Sequence, residues 1–187
     1  MPKRRWLKRD VVIEQAAALA NEAGSVTAVS LATLAQALQI RPPSLYNHVA
    51  SLEDLHRGLA LLGLRQLIVE LRQASLGLVG REAILATASA YRRFVHAQPG
   101  IYPLTVRAPE PEETEATALS QELVQMLLLM MASLGLQGDD AIHAIRGLRA
   151  ILHGFTSLET AAAYKIPLDQ DESFYRLLNA YLDGLTQ

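Results

Sequence analysis

An all-α fold is what this 187-residue sequence predicts, on three grounds. Apolar residues recur at i, i+3, i+4 and i+7 along almost the whole chain. The one β-branched run, Val26-Thr27-Ala28-Val29, has no second strand to pair with and reads as a loop. Half of the residues are apolar, which is enough for a small domain joined to a larger one and excludes disorder as the dominant state.

The first helix is expected from about Lys8 to Ala23, with Val12, Ile13, Ala16, Leu19 and Ala20 as its apolar stripe and Gly24 as its stop. After the loop, Ser30 is placed to cap a two-turn helix in which Leu31, Leu34, Ala35 and Leu38 share one face. Pro42 and Pro43 then sit where a helix accepts them, because first-turn N–H groups have no intrahelical partner to lose. A second short helix therefore starts at about Pro42. At 100° per residue Leu45 and Val49 lie roughly 40° apart and face inward, while Pro43, Ser44 and Asn47 face outward, with Tyr46 and His48 at the edges. The small side chain of Ala35 lets the two helices cross closely, as in a helix-turn-helix. An outward face of small and hydrogen-bonding residues on a helix too short to stand alone fits the major groove of DNA, or else a helical hairpin that is only part of a core.

From Leu52 to about Leu76 the pattern is apolar on more than one face, as expected of a helix packed on several sides. Gly77 to Gly80 interrupts it. A helix from Arg81 to Gln98 carries Ile84, Leu85, Ala88, Tyr91 and Val95, and Pro99-Gly100 stops it. One helical turn at Ile101 to Val106 and an acidic loop to Glu115 lead to a helix from about Thr117 to Leu134 that should bury Leu119, Leu123, Met126, Leu127 and Met130. Two more helices follow, Asp139 to about Ala163 and Asp171 to Leu185. In the last, Phe174, Leu177, Leu178, Tyr181, Leu182 and Leu185 repeat at helical spacing without a miss. Their cover is either the rest of the chain or the same helices of a second copy.

The 17 basic and 19 acidic residues nearly balance, so net charge does not point to nucleic acid. Its distribution does. Lys3, Arg4, Arg5, Lys8 and Arg9 crowd the first nine residues, beside the helix pair, and such an arm suits phosphate or minor-groove contacts. Without cysteine there is no disulfide, thiolate zinc site or thiol nucleophile. No apolar segment resembles a signal peptide, and the longest apolar run falls well short of the roughly 20 residues a membrane span needs, so a cytoplasmic protein is expected. Catalytic and nucleotide-binding motifs are absent, no two histidines have ligand spacing, and neither enzyme activity nor a metal or other cofactor is expected.

At Leu45-Tyr46-Asn47-His48-Val49 the chain resembles the recognition helix of TetR-family transcriptional regulators, which commonly carries Leu-Tyr-x-His-Phe/Val. The resemblance is specific over about the first 60 residues and continues in length and helical pattern. It departs at Gln39, where the turn commonly holds Gly, and at Leu52, where Lys is common and would touch phosphate; Ser51 and nearby N–H groups are left for that contact. The family implies an N-terminal three-helix DNA-binding domain, residues 1–55, and a C-terminal helical ligand-binding and dimerisation domain, residues 56–187. On that basis Pro43, Ser44, Asn47 and Arg41 face base edges, while Tyr46, His48, Thr27, Ser51 and the arm Lys3, Arg4 and Arg5 meet the backbone of double-stranded DNA, as a palindromic operator read by a homodimer with reading helices about 34 Å apart or more.

Around the Pro99 break and on the following helices, Tyr91, Phe94, Tyr102, Met126, Met130, Met131, His153 and Phe155 suit either an apolar small-molecule effector or ordinary core packing. The dimer reading places Phe174, Leu177, Leu178, Tyr181 and Leu182 at the interface. The expected function is a repressor released from DNA by its ligand; a regulator without ligand, or a helical carrier or enzyme without DNA binding, are the alternatives.

Overall fold

The structure, a computed structural model, describes residues 7–185. Lys3, Arg4 and Arg5 lie outside them. Among the described residues every regular element is a helix: α1 (Arg9–Ala23), α2 (Leu31–Ala37), α3 (Pro42–Leu45), α4 (Leu52–Ser75), α5 (Gly80–Ala97), α6 (Tyr102–Val106), α7 (Thr114–Ala132), α8 (Gly138–Thr160) and α9 (Gln170–Leu185), with a 3-10 turn at Val26–Ala28. The chain forms two compact units: residues up to Gln66 together with Ala97–Thr117, and Leu67–His96 together with residues from Ala118 onward. The boundary read from sequence after Leu55 falls inside α4, whose residues serve both units.

In the first unit α1 buries Val12, Ile13, Ala16, Ala17 and Ala20 on one stripe and stops at Gly24, which takes the left-handed conformation that lets Ser25 N–H bond back to Ala20 O at 2.9 Å. Ser30 caps α2 reciprocally with Thr33: the Thr33 N–H donates to Ser30 Oγ at 3.1 Å and the Ser30 N–H to Thr33 Oγ1 at 2.9 Å. Leu34, Ala35, Leu45, Val49, Leu55, Leu59 and Ile101 join the α1 stripe in one core.

At the end of α2 the chain pays for the absence of glycine. Gln39 sits at φ 55°, left-handed, while Ile40 N–H bonds to Ala35 O and Gln39 N–H to Gln36 O, both at 3.0 Å, the two bonds of a Schellman stop. That conformation costs a side-chain-bearing residue about 1–2 kcal/mol, against roughly 0.5–1 kcal/mol of extra unfolded-state freedom for glycine. Gln39→Gly is therefore expected to stabilise the protein by about 0.5–1 kcal/mol, read as a rise of the urea midpoint with unchanged slope.

The second unit is a core of Ala83, Ile84, Ala88, Met130, Met131, Ala141, Ala144, Ile145, Leu148, Leu152, Phe155, Phe174, Leu178 and Leu182. The sequence pattern overstates the burial of α7. Only Met130 and Met131 are buried, Leu119, Leu123, Met126 and Leu127 are half-covered, and Leu129 is 73% exposed. An α7 that is apolar nearly all round has more apolar surface than its unit can cover.

Candidate DNA-binding surface and regulatory body

The reading segment is short because its helix is. Arg41 is the extended N-cap, Pro42 and Pro43 open α3, and after four residues the chain continues as a turn in which the His48 and Val49 N–H groups bond to Leu45 O at 2.9 and 3.1 Å. Leu45 and Val49 are each 1% exposed and anchor it. Arg41, Pro43, Ser44, Tyr46 and Asn47 are all exposed, Tyr46 at 58% despite its ring. The segment thus brings five of the predicted DNA contacts onto one solvent-facing stretch.

His48 is half-buried, and its carbonyl is already committed: Arg9 Nη1 donates to it at 2.6 Å. The same guanidinium grips Asp54, Nη1 to Oδ2 at 2.8 Å and Nη2 to Oδ1 at 2.7 Å. Arg9 therefore ties α1 to the exit of the reading segment and the first turn of α4, instead of serving the basic arm in which its sequence position put it. Ser51 also has internal work, since its hydroxyl accepts the Asp54 N–H at 3.1 Å while the Ala50 N–H donates to Asp54 Oδ2 at 2.9 Å. Thr27 is exposed on the 3-10 turn, its hydroxyl 2.8 Å from that of Ser25. The S-x-x-D spacing of Ser51 and Asp54 carries a capping signal; nothing local marks Arg9 as the partner 45 residues away.

Arg9 lowers the Asp54 pKa below its ordinary value of 3.8, against the opposing effect of burial, with the Ala50 N–H assisting. A carboxylate with a depressed folded-state pKa contributes stability that is fully present above its unfolded pKa and is lost as pH falls through the folded value. Acid below about pH 4 should therefore loosen this corner; in Asp54→Asn that portion of the acid dependence of the urea midpoint is expected to vanish.

The second unit collects the other predicted residues unevenly. Phe94, Met130 and Phe155 are buried, and Tyr91, Met126 and His153 half-buried, in this unit, whereas Tyr102, also buried, belongs to the first. With Met131, which is buried in the second unit, the eight do not converge within one unit. Thr87, buried, donates its hydroxyl to Met130 Sδ at 3.6 Å. A cleft of about 340 Å³ opens beside Phe155 under the α8–α9 connection, walled by Tyr164, Ile166 and Leu168.

The predicted dimer stripe is also divided. Phe174, Leu178 and Leu182 are 4%, 1% and 1% exposed, consumed by the core of their own unit, and Tyr181 is half-buried with its hydroxyl on Ala144 O at 2.5 Å. These four are therefore taken up within the chain. Leu177 remains 39% exposed. The reason is geometric: the stripe is about as wide as α8 and its neighbours can cover, and helical spacing alone does not say whose helix covers it. Among the described residues no cluster of His, Cys, Asp or Glu could hold a metal ion, and no helix is long and apolar enough to cross a membrane.

Residues 84–181 match the tetracyclin repressor-like C-terminal domain. The chain is 34% identical to the HTH-type transcriptional regulator YobS of Bacillus subtilis, over 99% of this chain and 96% of that one. Among solved structures, a protein of unknown function from Rhodococcus sp. RHA1 is similar over the full length of both chains with a TM-score of 0.81 at 24% identity. A single-substitution variant of the TetR protein of Acinetobacter baumannii in complex with minocycline is similar over 95% of this chain and 96% of its own, with a TM-score of 0.68 at 19% identity. The two structures speak for the fold and the sequence relative for kinship; together with the match over α5 to α9, they show that the chain belongs to the tetracycline-repressor (TetR) family of HTH-type transcriptional regulators.

Proposed function

We propose that the protein is a homodimeric repressor that reads a palindromic operator with the segment Arg41–Ser51 and is released by a small molecule bound in the body of α5 to α9. The observation that carries this reading is the division of labour in the segment. Leu45 and Val49 are spent on the core, whereas Pro43, Ser44, Tyr46 and Asn47 stand in solvent. Asn47 has the amide geometry to pair with adenine and Arg41 the fork to pair with guanine. Tyr46, His48, Thr27 and the arm Lys3, Arg4 and Arg5 hold the backbone. A regulator acting on DNA in this way works in the cytoplasm.

For the second copy, the face of α8 and α9 that the chain leaves open is the better seat than the buried stripe. Ala150, Gly154 and Leu158 on α8 and Leu177, Ala180 and Gly184 on α9 follow helical spacing, and a Cβ added at Gly154 or Gly184 would meet nothing within 4 Å. Two helices of a partner would close a four-helix interface there.

Selection of duplexes from a random library, followed by gel shift, tests the reading. Asn47→Ala is expected to cost roughly 1–3 kcal/mol and relax preference at one base position, whereas Tyr46→Ala weakens binding to all sequences alike. Unchanged retention in both variants would sink the docking model. Light scattering should return the mass of two chains. A thermal-shift screen of lipophilic compounds tests the effector, since a ligand at 100 times its dissociation constant adds about 2.7 kcal/mol.

A further inference from the structure

We propose that α1 is a strut that fixes the recognition segment to α6, and that Asn21 is the positioning residue at its far end. The proposal rests on the reading of Arg41–Ser51 as the DNA-contacting segment and adds a route by which that segment is held.

Asn21 occupies the last turn of α1. Its Oδ1 accepts the N–H groups of Gly100 and Ile101 at 3.0 and 3.3 Å, and its Nδ2 donates to Gln98 Oε1. Three hydrogen bonds of one side chain thus close on the connection that enters α6. Gly100 permits this closeness: a Cβ there would overlap the backbone carbonyl of Ala20. Immediately beyond, Ile101 is fully buried in the core that also holds Leu45 and Val49. Thr105, in α6, presses on α4 at Gly63, where an added Cβ would come within 2.7 Å of the threonine methyl.

The opposite end of α1 carries the Arg9 clamp on His48 O and Asp54. The two fasteners stand twelve positions apart on one helix, a separation of about 18 Å at 1.5 Å per residue. The turns between them are locked by Val12, Ile13, Ala16, Ala17 and Ala20 in the core. A helix held by polar contacts at both ends and packed in the middle moves as a rod. A displacement of α6 therefore reaches the exit of the recognition segment through α1 as well as through α4.

The test uses the full chain and a duplex selected from a random library. Asn21→Ala is expected to lose at least fivefold in affinity for that duplex and to speed amide exchange at residues 44–49 at least tenfold, with residues 83–90 unchanged. Asn21→Asp keeps an oxygen for the Gly100 and Ile101 amides and should restore both readouts to within twofold of wild type. Faster exchange confined to residues 20–25 and 98–102, with duplex affinity unchanged, would overturn the proposal and leave Asn21 a local structural residue; so would failure of Asn21→Asp to restore. If Asn21→Ala does not fold, Asn21→Cys/Gln98→Cys serves in a chain with no native cysteine. The oxidised pair should bind the duplex at least fivefold more tightly than the reduced pair, and equal affinity overturns the strut. A wild-type chain that binds no duplex at all would instead refute the underlying DNA-binding reading.

Discussion

Leu45→Ala should weaken DNA binding at least tenfold without altering any residue of the proposed reading face. The side chain is 1% exposed, and with Val49 it anchors a helix of four residues that has no stability of its own. Its truncation should cost about 2–5 kcal/mol, the range for deleting a buried leucine side chain. Most of that loss falls on the placement of Tyr46 and Asn47, which follow Leu45 directly in the chain. The expected result is a lowered urea midpoint together with at least a tenfold loss of duplex affinity in the fraction that remains folded. A folded Leu45→Ala protein with wild-type affinity would mean that the segment is held by something other than its two buried side chains.

The parts of this architecture that could be read in advance are those set by residues close in sequence. Ser30 and Thr33 are three residues apart, Gly24 follows the last apolar position of α1, and the two prolines mark the start of α3; each acts through the backbone nearest to it. The parts that could not be read depend on which elements meet. Arg9 belongs by position to a basic arm and by contact to Asp54. Tyr102 stands near Phe94 in sequence, but it packs in the first unit and Phe94 in the second. The regular stripe on α9 encodes burial, and burial is indifferent to whether the covering helix comes from the same chain; here Phe174, Leu178 and Leu182 go to their own unit. Gln39 shows the converse, a local rule broken in sequence and obeyed in conformation, at the cost of backbone strain.

The second large effect is expected in the regulatory body, at Glu159. This carboxylate is 3% exposed and receives Arg92 through Nε at 2.9 Å and Nη2 at 2.6 Å, with His96 Nε2 at 3.2 Å. Arg92 in turn lies over the rings of Phe174 and Phe155, 4.9 and 5.7 Å from their centroids, and its Nη1 reaches Asp171 at 2.7 Å. The hydrogen bond to Glu159 is the foremost cause of the raised Arg92 pKa, and an arginine guanidinium remains charged even when that partner is removed. Glu159→Ala therefore leaves a cation largely enclosed against two aromatic rings with, among the described residues, Asp171, 84% exposed, to answer it. Removing one partner of such a pair costs about 3–5 kcal/mol when burial is complete, and the surviving bond to Asp171 brings the expectation to about 3 kcal/mol. Glu159→Gln keeps an acceptor for one N–H and should lose less than Glu159→Ala. Urea unfolding followed by circular dichroism measures both. A loss below about 1 kcal/mol for Glu159→Ala would show that solvent already screens the pair, as at an exposed site. The expected larger loss makes Arg92 the pin between α5, α8 and the start of α9. The wall of the Phe155 cleft would then depend on a charge cluster outside its own lining, and a ligand entering there would act on the same contacts that hold α9 in place.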